Sequence, residues 1–460
     1  MADLLATWHV LLHEALLLLA FIIAVNGLDD LAVDLAYICL RLRRPAAPVL
    51  VPALAPATPP AFAILIPAWD EAAVIGPMLR RLLATQDWPD FTLFVGLYPN
   101  DPAGQAVVAA IADPRLRVAV NPRPGPTTKA DCLNRLWAAM LAHEAQQGRR
   151  FAAVVLHDAE DVVHRLELAL MAAHLAGPDP PAMVQLPVRP LIDPASPLVA
   201  GHYIDEFAQS HGKDLLVRQW LGAALPAAGV GVAFDRALMG RIAAAQGGRP
   251  FADDSLTEDY ELGIKLHALG GRGVLVRHHV DGQLVATAEH FPATLAAAVR
   301  QKARWAQGIS LAGWDRIGWR GGLANRWMLW RDRKGPGMAL VSLAAYGLAG
   351  LIALDGLMRQ WWPPAAALPP LSQGLVALLW WNFALLCWRL LLRALFTARV
   401  EGPVEALLAT PRAAVGNIIN ALATLRALAR YVAGLGRHGP PAWDKTVHRF
   451  PGGDGRAPAG

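Results

Sequence analysis

The sequence predicts an α/β domain, with a mainly parallel sheet and helices on both faces, carried on about three transmembrane helices. Three observations lead there. Short apolar runs alternate with helical patterns between residues 61 and 157. Three other stretches are apolar for the roughly 20 residues that cross a bilayer. Polar or charged residues follow the short runs.

The 460-residue chain is 55% hydrophobic and only 17% charged, too apolar for a purely soluble enzyme. Its net charge of +5 is mild, and the basic residues gather beside the apolar stretches. That points to a lipid bilayer and not to nucleic acid. Cys39, Cys132 and Cys387 are scattered without a CxxC, which argues against a disulfide framework or a zinc knuckle.

Residues 8–28, 338–358 and 372–396 are the expected spans. The first contains His13 and Glu14 and has no cleavage site, so residues 1–44 read as an anchor and not a signal peptide. Arg41, Arg43 and Arg44 follow it, and Arg326, Arg331, Arg333 and Lys334 precede the second span. The connector to the third carries only Arg359, with Trp361 and Trp362 at interface depth. The positive-inside rule then puts 61–335 in the cytoplasm and 359–371 outside. The Pro/Ala-rich stretch 45–60 reads as a linker, 336–397 as two spans, and 398–460 as an interfacial helix with a tail. Within the last, 405–434 is apolar on one side, with Arg426 and Arg430 four apart, as suits a helix lying in the interface.

In the central unit the apolar runs 61–67, 91–97, 115–120 and 152–157 alternate with helical patterns over 71–84, 102–112 and 128–147. Ligands of such sheets bind beyond the carboxyl ends of the strands. Asp70 and Glu71 stand there, then Asn100 and Asp101, then Lys129, then Asp158 and Glu160. Singly, each has an ordinary explanation as a helix cap, a surface lysine or an acid-rich first turn. Four such groups at one end of a sheet are harder to dismiss. Carboxylates beside a lysine suit a phosphate ligand bridged by a divalent metal, with Asp158 and Glu160 as ligands of a hard cation.

Two later stretches add to this. "SLTEDYELGIKLHALGG" (255–271) has Ser255 and Glu258 at capping-box spacing and Gly270–Gly271 as a stop, with Asp259 as a further acid in the first turn. Gln301, Arg304 and Trp305 fall on one helical face. Without a function, Trp305 is a core residue and Arg304 snorkels.

In this order, and flanked by membrane spans, "DAED" (158–161), "TED" (257–259) and "QKARW" (301–305) resemble the family 2 inverting glycosyltransferases, which include cellulose and hyaluronan synthases. "YPNDP" (98–102) and "GPTTKADCLN" (125–134) are most similar to a bacterial inner-membrane subgroup of phage-adsorption proteins. The resemblance covers roughly 60–310, and more loosely the chain to about 450. It implies a GT-A type fold and a membrane-bound enzyme that moves a sugar from a nucleotide-sugar donor, a UDP-sugar by analogy, to a growing glycan. It further implies Mg2+ or Mn2+, a multi-pass place in the bacterial inner membrane with the catalytic domain cytoplasmic, and a role in exopolysaccharide or cell-envelope polysaccharide synthesis.

Carried over by residue, Pro67, Asp70 and Glu71 meet the nucleoside. Asn100 and Asp101 match a base-reading acidic pair, with Asn in place of one acid, and Lys129 lies near the donor. Asp158 and Glu160 match D-x-D with Glu second, a departure that touches metal preference more than metal binding. Asp259 matches the general base. Gln301 and Arg304 hold the donor diphosphate, while Trp305 and Glu258 face the acceptor. The chemistry is consistent, because inverting transfer needs one base and a cation for the departing diphosphate. Arg304 can also grip phosphate in bidentate fashion. Residues 226–238 and Gln185 are expected beside the acceptor path. "AWDKTVHRF" (442–450) resembles a tract that closes over the donor site in membrane synthases. Larger members of the subgroup add a cyclic di-GMP-binding domain; with 30 residues after Arg430 and no D-x-S-x-x-G, this chain is expected to lack it.

Three spans are few for enclosing a polysaccharide channel, so envelope secretion partners or a homo-oligomer are expected. The competing reading is a catalytically degenerate transferase-like membrane scaffold or receptor. An HD-type phosphohydrolase conflicts with the strand leading into His157, and His278, His279 and His290 match no zinc spacing.

Overall fold

Strands β1 (Phe62–Pro67), β2 (Phe91–Leu97), β3 (Leu116–Val120) and β4 (Ala153–Leu156) pair in parallel, in the spatial order β3-β2-β1-β4, in the computed structural model. The structure describes residues 2–43, 59–177, 179–361, 371–434 and 449–451. Most of the expected linker, Trp362 with the connector that follows it, and residues 442–448 of the C-terminal tract lie outside the described residues.

The sheet continues through β5 (Met183–Gln185), β7 (Val232–Asp235) and β8 (Gly273–Leu275), with β7 between β4 and β5 and antiparallel to both. It is mainly parallel, as the alternation predicts, with one reversed strand. A small parallel pair joins β6 (Val188–Pro190) to β11 (Thr287–Glu289), and β9 (His279–Val280) pairs with β10 (Gln283–Leu284).

Both faces of the sheet are covered, which is why β1 reads as an unbroken apolar run. Phe62, Ile64 and Ile66 of β1 face a core with α2 (Ala72–Thr85), α3 (Pro102–Ala109) and α5 (Glu167–Leu175). Ala63 and Leu65 face a second core with α4 (Lys129–Gln147), α8 (Arg236–Ala245) and α9 (Glu258–Ala268). Burying each large aliphatic or aromatic side chain of these cores contributes about 1.5–3 kcal/mol before entropy is counted. The remaining helices of the domain are α6 (Gly201–Gln209), α7 (Leu215–Trp220), α10 (Leu295–Trp305) and α11 (Gly313–Ile317). A π-helical stretch, Ser210–Asp214, joins α6 to α7, and another, Ala306–Ala312, follows α10.

Among the described residues, three helices are long and apolar enough to cross a membrane. They are α1 (Ala2–Arg43), α12 (Leu323–Trp361) and α13 (Gln373–Glu401). Helix α12 starts inside the expected cytoplasmic unit and passes residue 335 without a break. Its charged foot clasps α1, where Arg331 and Lys334 pair with Asp29 and Asp30. The fourth long helix, α14 (Pro403–Gly434), buries the small residues Ala409, Gly416, Ala421, Ala423 and Ala427 and packs on α6, α10, α12 and α13.

Candidate active site

The carboxyl ends of β1 to β4 open along one edge of the sheet, and the loops there are held by backbone hydrogen bonds. Pro67 ends β1 and is buried. Asp70 adopts φ +54°, a left-handed conformation that Asp tolerates, and its N–H donates to Asp101 Oδ2 at 3.0 Å. Asp101 Oδ1 accepts from the Gly104 N–H at 3.0 Å, so the same carboxylate caps α3 and ties in the first loop. Glu71 is buried at the start of α2, where its carbonyl accepts from the Val74 and Ile75 N–H groups. Asn100 bonds Gly125 reciprocally, donating to its carbonyl at 2.8 Å and accepting from its N–H at 2.7 Å. Gly125 lies flat on Trp69, where a Cβ would meet the ring at 2.5 Å. Trp69 in turn packs edge-on to Tyr98, 5.0 Å between centroids.

Strand β4 delivers His157 and the acidic turn. His157 is fully buried, with Nδ1 2.7 Å from Asp161 Oδ2 and Nε2 2.8 Å from Glu167 Oε1. Burial opposes its charge, but Glu167 and Asp161 overcome that and push it up to about 10. Asp161 also accepts from the Asp158 N–H at 3.0 Å, which shapes the turn. Lys129 enters α4 after its Thr128 cap and reaches Asp158 Oδ1 at 2.5 Å. Burial works against the ammonium, but Asp158, then Glu258 and Asp259, hold its pKa above the usual lysine value. Glu160 is buried in the same turn. A bridge between Val162 and Ala288 brings Glu289 alongside. Burial, with Asp161, Glu160 and Asp158, raises the Glu289 carboxyl well above the carboxylate range.

The other wall is α9. The capping box expected at Ser255 and Glu258 does not form. The helix begins at Glu258, Thr257 makes no side-chain cap, and Ser255 Oγ accepts only from the Thr257 N–H at 3.3 Å. The later start places Glu258 and Asp259 in the first turn, where the helix dipole favours acids and Lys129 lies opposite. Asp259 Oδ1 accepts from the Tyr260 N–H at 2.7 Å. Its Oδ2 lies over Gly229, where a Cβ would come within 2.2 Å and where φ is +82°, so only glycine fits. Gln185 pins that loop: its Oε1 accepts from the Ala228 N–H and its Nε2 donates to the Val230 carbonyl, each at 2.9 Å. Fully buried, Gln185 supports the 226–231 loop. Burial raises the Asp259 carboxyl, chiefly opposed by Lys129, and burial together with Asp259 pushes Glu258 up to about 7.

Helix α10 closes the site. Arg304 acts electrostatically on both Glu258 and Asp259. Gln301 is buried, and its Oε1 has no hydrogen-bond partner among the described residues. Trp305 rests edge-on to Tyr203, 6.1 Å between centroids, and beside Phe291 at 6.5 Å. The π-helical stretch that follows contains Gly308, where a Cβ would sit 2.6 Å from Thr257 Oγ1. The stretch just after Q-x-x-R-W therefore packs directly against Thr257 of the Thr-Glu-Asp turn.

Residues 59–308 match the family model described as glycosyltransferase like family 2. The chain belongs to that family. It is 36% identical to bacteriophage adsorption protein B of Escherichia coli K12, over 98% of this chain and 64% of that protein. Bacteriophage N4 adsorption protein B of Escherichia coli O157:H7 gives the same identity and coverage. The chain thus spans a little under two thirds of the length of these relatives. Among solved structures, the mannosyltransferase PcManGT from Pyrobaculum calidifontis, in complex with GDP-Man and Mn2+, matches with a TM-score of 0.55 at 18% identity, covering 90% of this chain and 99% of that one. That likeness identifies the GT-A fold in this family 2 chain.

Among the described residues, no three His, Cys, Asp or Glu side chains form a ready metal cage. Asp158 and Glu160 nevertheless fit a hard divalent cation, which typically takes one or two carboxylates and completes its shell with substrate phosphates. The turn is rich in negative charge: Asp158, Glu160, Asp161 and Glu289 gather there, with Lys129 and His157 as cations beside them. Glu289 has no counterpart in the motifs read from the sequence. Its only local signal is that it ends a short apolar run, "VATAE" (285–289).

Proposed function

We propose that this family 2 chain transfers a sugar, with inversion, from a UDP-sugar type donor to a growing glycan at the cytoplasmic face of a bacterial inner membrane. Exopolysaccharide or envelope polysaccharide synthesis is the process it would serve, with secretion partners or further copies of the chain completing an export route. One observation carries the reading: Lys129 touches Asp158 and lies within electrostatic reach of Glu258 and Asp259. An acid assigned to the donor and the two acids assigned to the acceptor side thus converge on one lysine.

In this reading the loops bearing Pro67, Asp70, Glu71, Asn100 and Asp101 hold the nucleoside. Asp259 takes the proton of the acceptor hydroxyl as that oxygen bonds to the anomeric carbon. The bond from that carbon to the diphosphate breaks on the opposite side, and its electron pair leaves with the diphosphate. Lys129 and Arg304 counter the charge that develops there, and the amide N–H of Gln301 donates to the same group. Asp158 and Glu160 would hold Mg2+ or Mn2+, which when bound neutralises the diphosphate. Trp305 gives the acceptor sugar a flat apolar face, with Glu258 beside it.

The names of the relatives record phage adsorption, a role that a degenerate membrane receptor would also serve. The convergence of Asp158, Glu258 and Asp259 on Lys129 favours transfer. The test is a panel of radiolabelled nucleotide sugars on membranes containing the full chain. One donor should label polymer or glycolipid in a reaction that a chelator abolishes. Incorporation from none of them would leave the receptor reading standing.

A further inference from the structure

The carboxylate of Asp332 sits at the foot of membrane helix α12, outside every motif read from the sequence, yet both walls around Asp259 lead to it. On one side, Tyr260 follows Asp259 directly and gives its N–H to Asp259 Oδ1 at 2.7 Å. The phenol of the same residue donates to Asp332 Oδ2 at 2.5 Å. On the other side, Arg218 donates from Nη1 to both Asp332 oxygens, at 2.8 and 2.9 Å, and from Nε to the Ala224 carbonyl. Ala224 opens the segment that runs to Gly229, the residue lying against Asp259 Oδ2. Helix α9 meets that segment without any intervening side chain, since a Cβ at Gly263 would strike the Leu225 carbonyl at 2.7 Å and the Ala227 nitrogen at 2.8 Å.

The foot of α12 is itself tied to the neighbouring parts of the site. Ser310, in the π-helical stretch after Trp305, donates to the Asp332 carbonyl at 3.0 Å. Asn325 accepts from the Ala224 N–H at 3.0 Å. Adjacent Arg331 and Lys334 clasp α1. Tyr260 and Arg218 are both about 95% buried, at 5% and 4% exposure, so water cannot readily replace these contacts.

We propose that Asp332 is a positioning residue for sugar transfer, fixing the Tyr260 and Gly229 walls of Asp259 from a membrane helix and so linking the anchor to the base. The proposal rests on Asp259 being the base. It predicts that the junction acts on the chemical step while leaving the donor loops alone, because those loops are held by their own backbone bonds.

The experiment uses the full chain in lipid nanodiscs, with UDP binding and steady-state transfer measured on the same preparations. Tyr260→Phe keeps the buried ring and removes one hydrogen bond. Its kcat should fall roughly five- to tenfold, the scale of a single buried hydrogen bond, with donor KM and UDP affinity unchanged. Asp332→Asn strips Arg218 of its counter-ion and should lower kcat by on the order of a hundredfold. Asp332→Glu, which retains the charge, should recover part of that loss.

In Tyr260→Phe the acid limb of kcat should also move to higher pH. Loosening the Tyr260 N–H from Asp259 removes a contact that favours the carboxylate, while Lys129, Asp158, Glu258 and Arg304 still face it. Wild-type kcat and pH profile in both Tyr260→Phe and Asp332→Asn would overturn the proposal. So would equal losses of transfer and UDP binding, which would make Asp332 a strut of the whole domain. Asp259→Asn run in parallel separates the two levels. If it abolishes transfer while the junction variants do not affect it, the coupling is wrong and the base stands. If it transfers normally, the base assignment falls and takes the coupling with it.

Discussion

The donor side and the acceptor side of this site are held by different means. The side chains of Asn100, Asp101 and Thr128 bond to backbone groups, those of Gly125 and Asp70 lying in neighbouring strand-end loops. Glu258, Asp259 and Trp305 are held by glycine contacts, by an aromatic cluster and by side chains reaching to a membrane helix. The first arrangement is intrinsic to the sheet and should keep its shape whatever the anchor does. The second depends on how α12 sits against the domain. A transferase built this way can bind its donor on a rigid platform while the acceptor side answers to the bilayer.

The largest effect expected on the donor side comes from Asp158→Ala. It removes a proposed metal ligand and leaves Lys129 half-buried without its 2.5 Å partner. Metal-dependent binding of a nucleoside diphosphate, followed by calorimetry, should drop by on the order of a hundredfold or more, the scale of losing a buried charge partner. Unchanged metal dependence would break the assignment of this turn to the donor. Asn100→Ala should do much less. It removes two bonds to the Gly125 loop at an exposed position, so donor affinity should weaken about fivefold with kcat nearly intact. A kcat loss larger than the affinity loss would blur the division between the two sides.

What was legible in the sequence follows the same division. The donor side was readable because strand periodicity and strand-end polar residues are local signals: β1 to β4 fall where the apolar runs predict them, and Asp70, Asn100, Lys129 and Asp158 stand just beyond. The acceptor side was readable only in its motifs. The capping-box spacing of Ser255 and Glu258 was misleading, because Glu258 is drawn into the first turn opposite Lys129 instead of turning back to cap. Gln185 looked like a lining residue, but its amide holds the glycine loop. The reversal of strand β7, between β4 and β5, is not legible, because direction leaves no trace in a four-residue strand. Glu289 shows only as the end of a short apolar run, and Asp332 carries no local pattern. Each joins the site through tertiary contacts with residues far away in the chain.

The most direct measurement compares UDP binding and sugar transfer in Asp259→Asn, across pH. Asp259 must be ionised to take a proton, and burial raises its carboxyl despite Lys129. Wild-type transfer should therefore be lost as pH falls through a value higher than that of an ordinary Asp. The substitution keeps the size of the side chain but cannot accept the proton. Transfer should fall by at least about a hundredfold at every pH, the scale of a positioned base, while UDP affinity stays near wild type. Transfer close to wild type, or a parallel collapse of UDP binding, would contradict the assignment of Asp259 as the base.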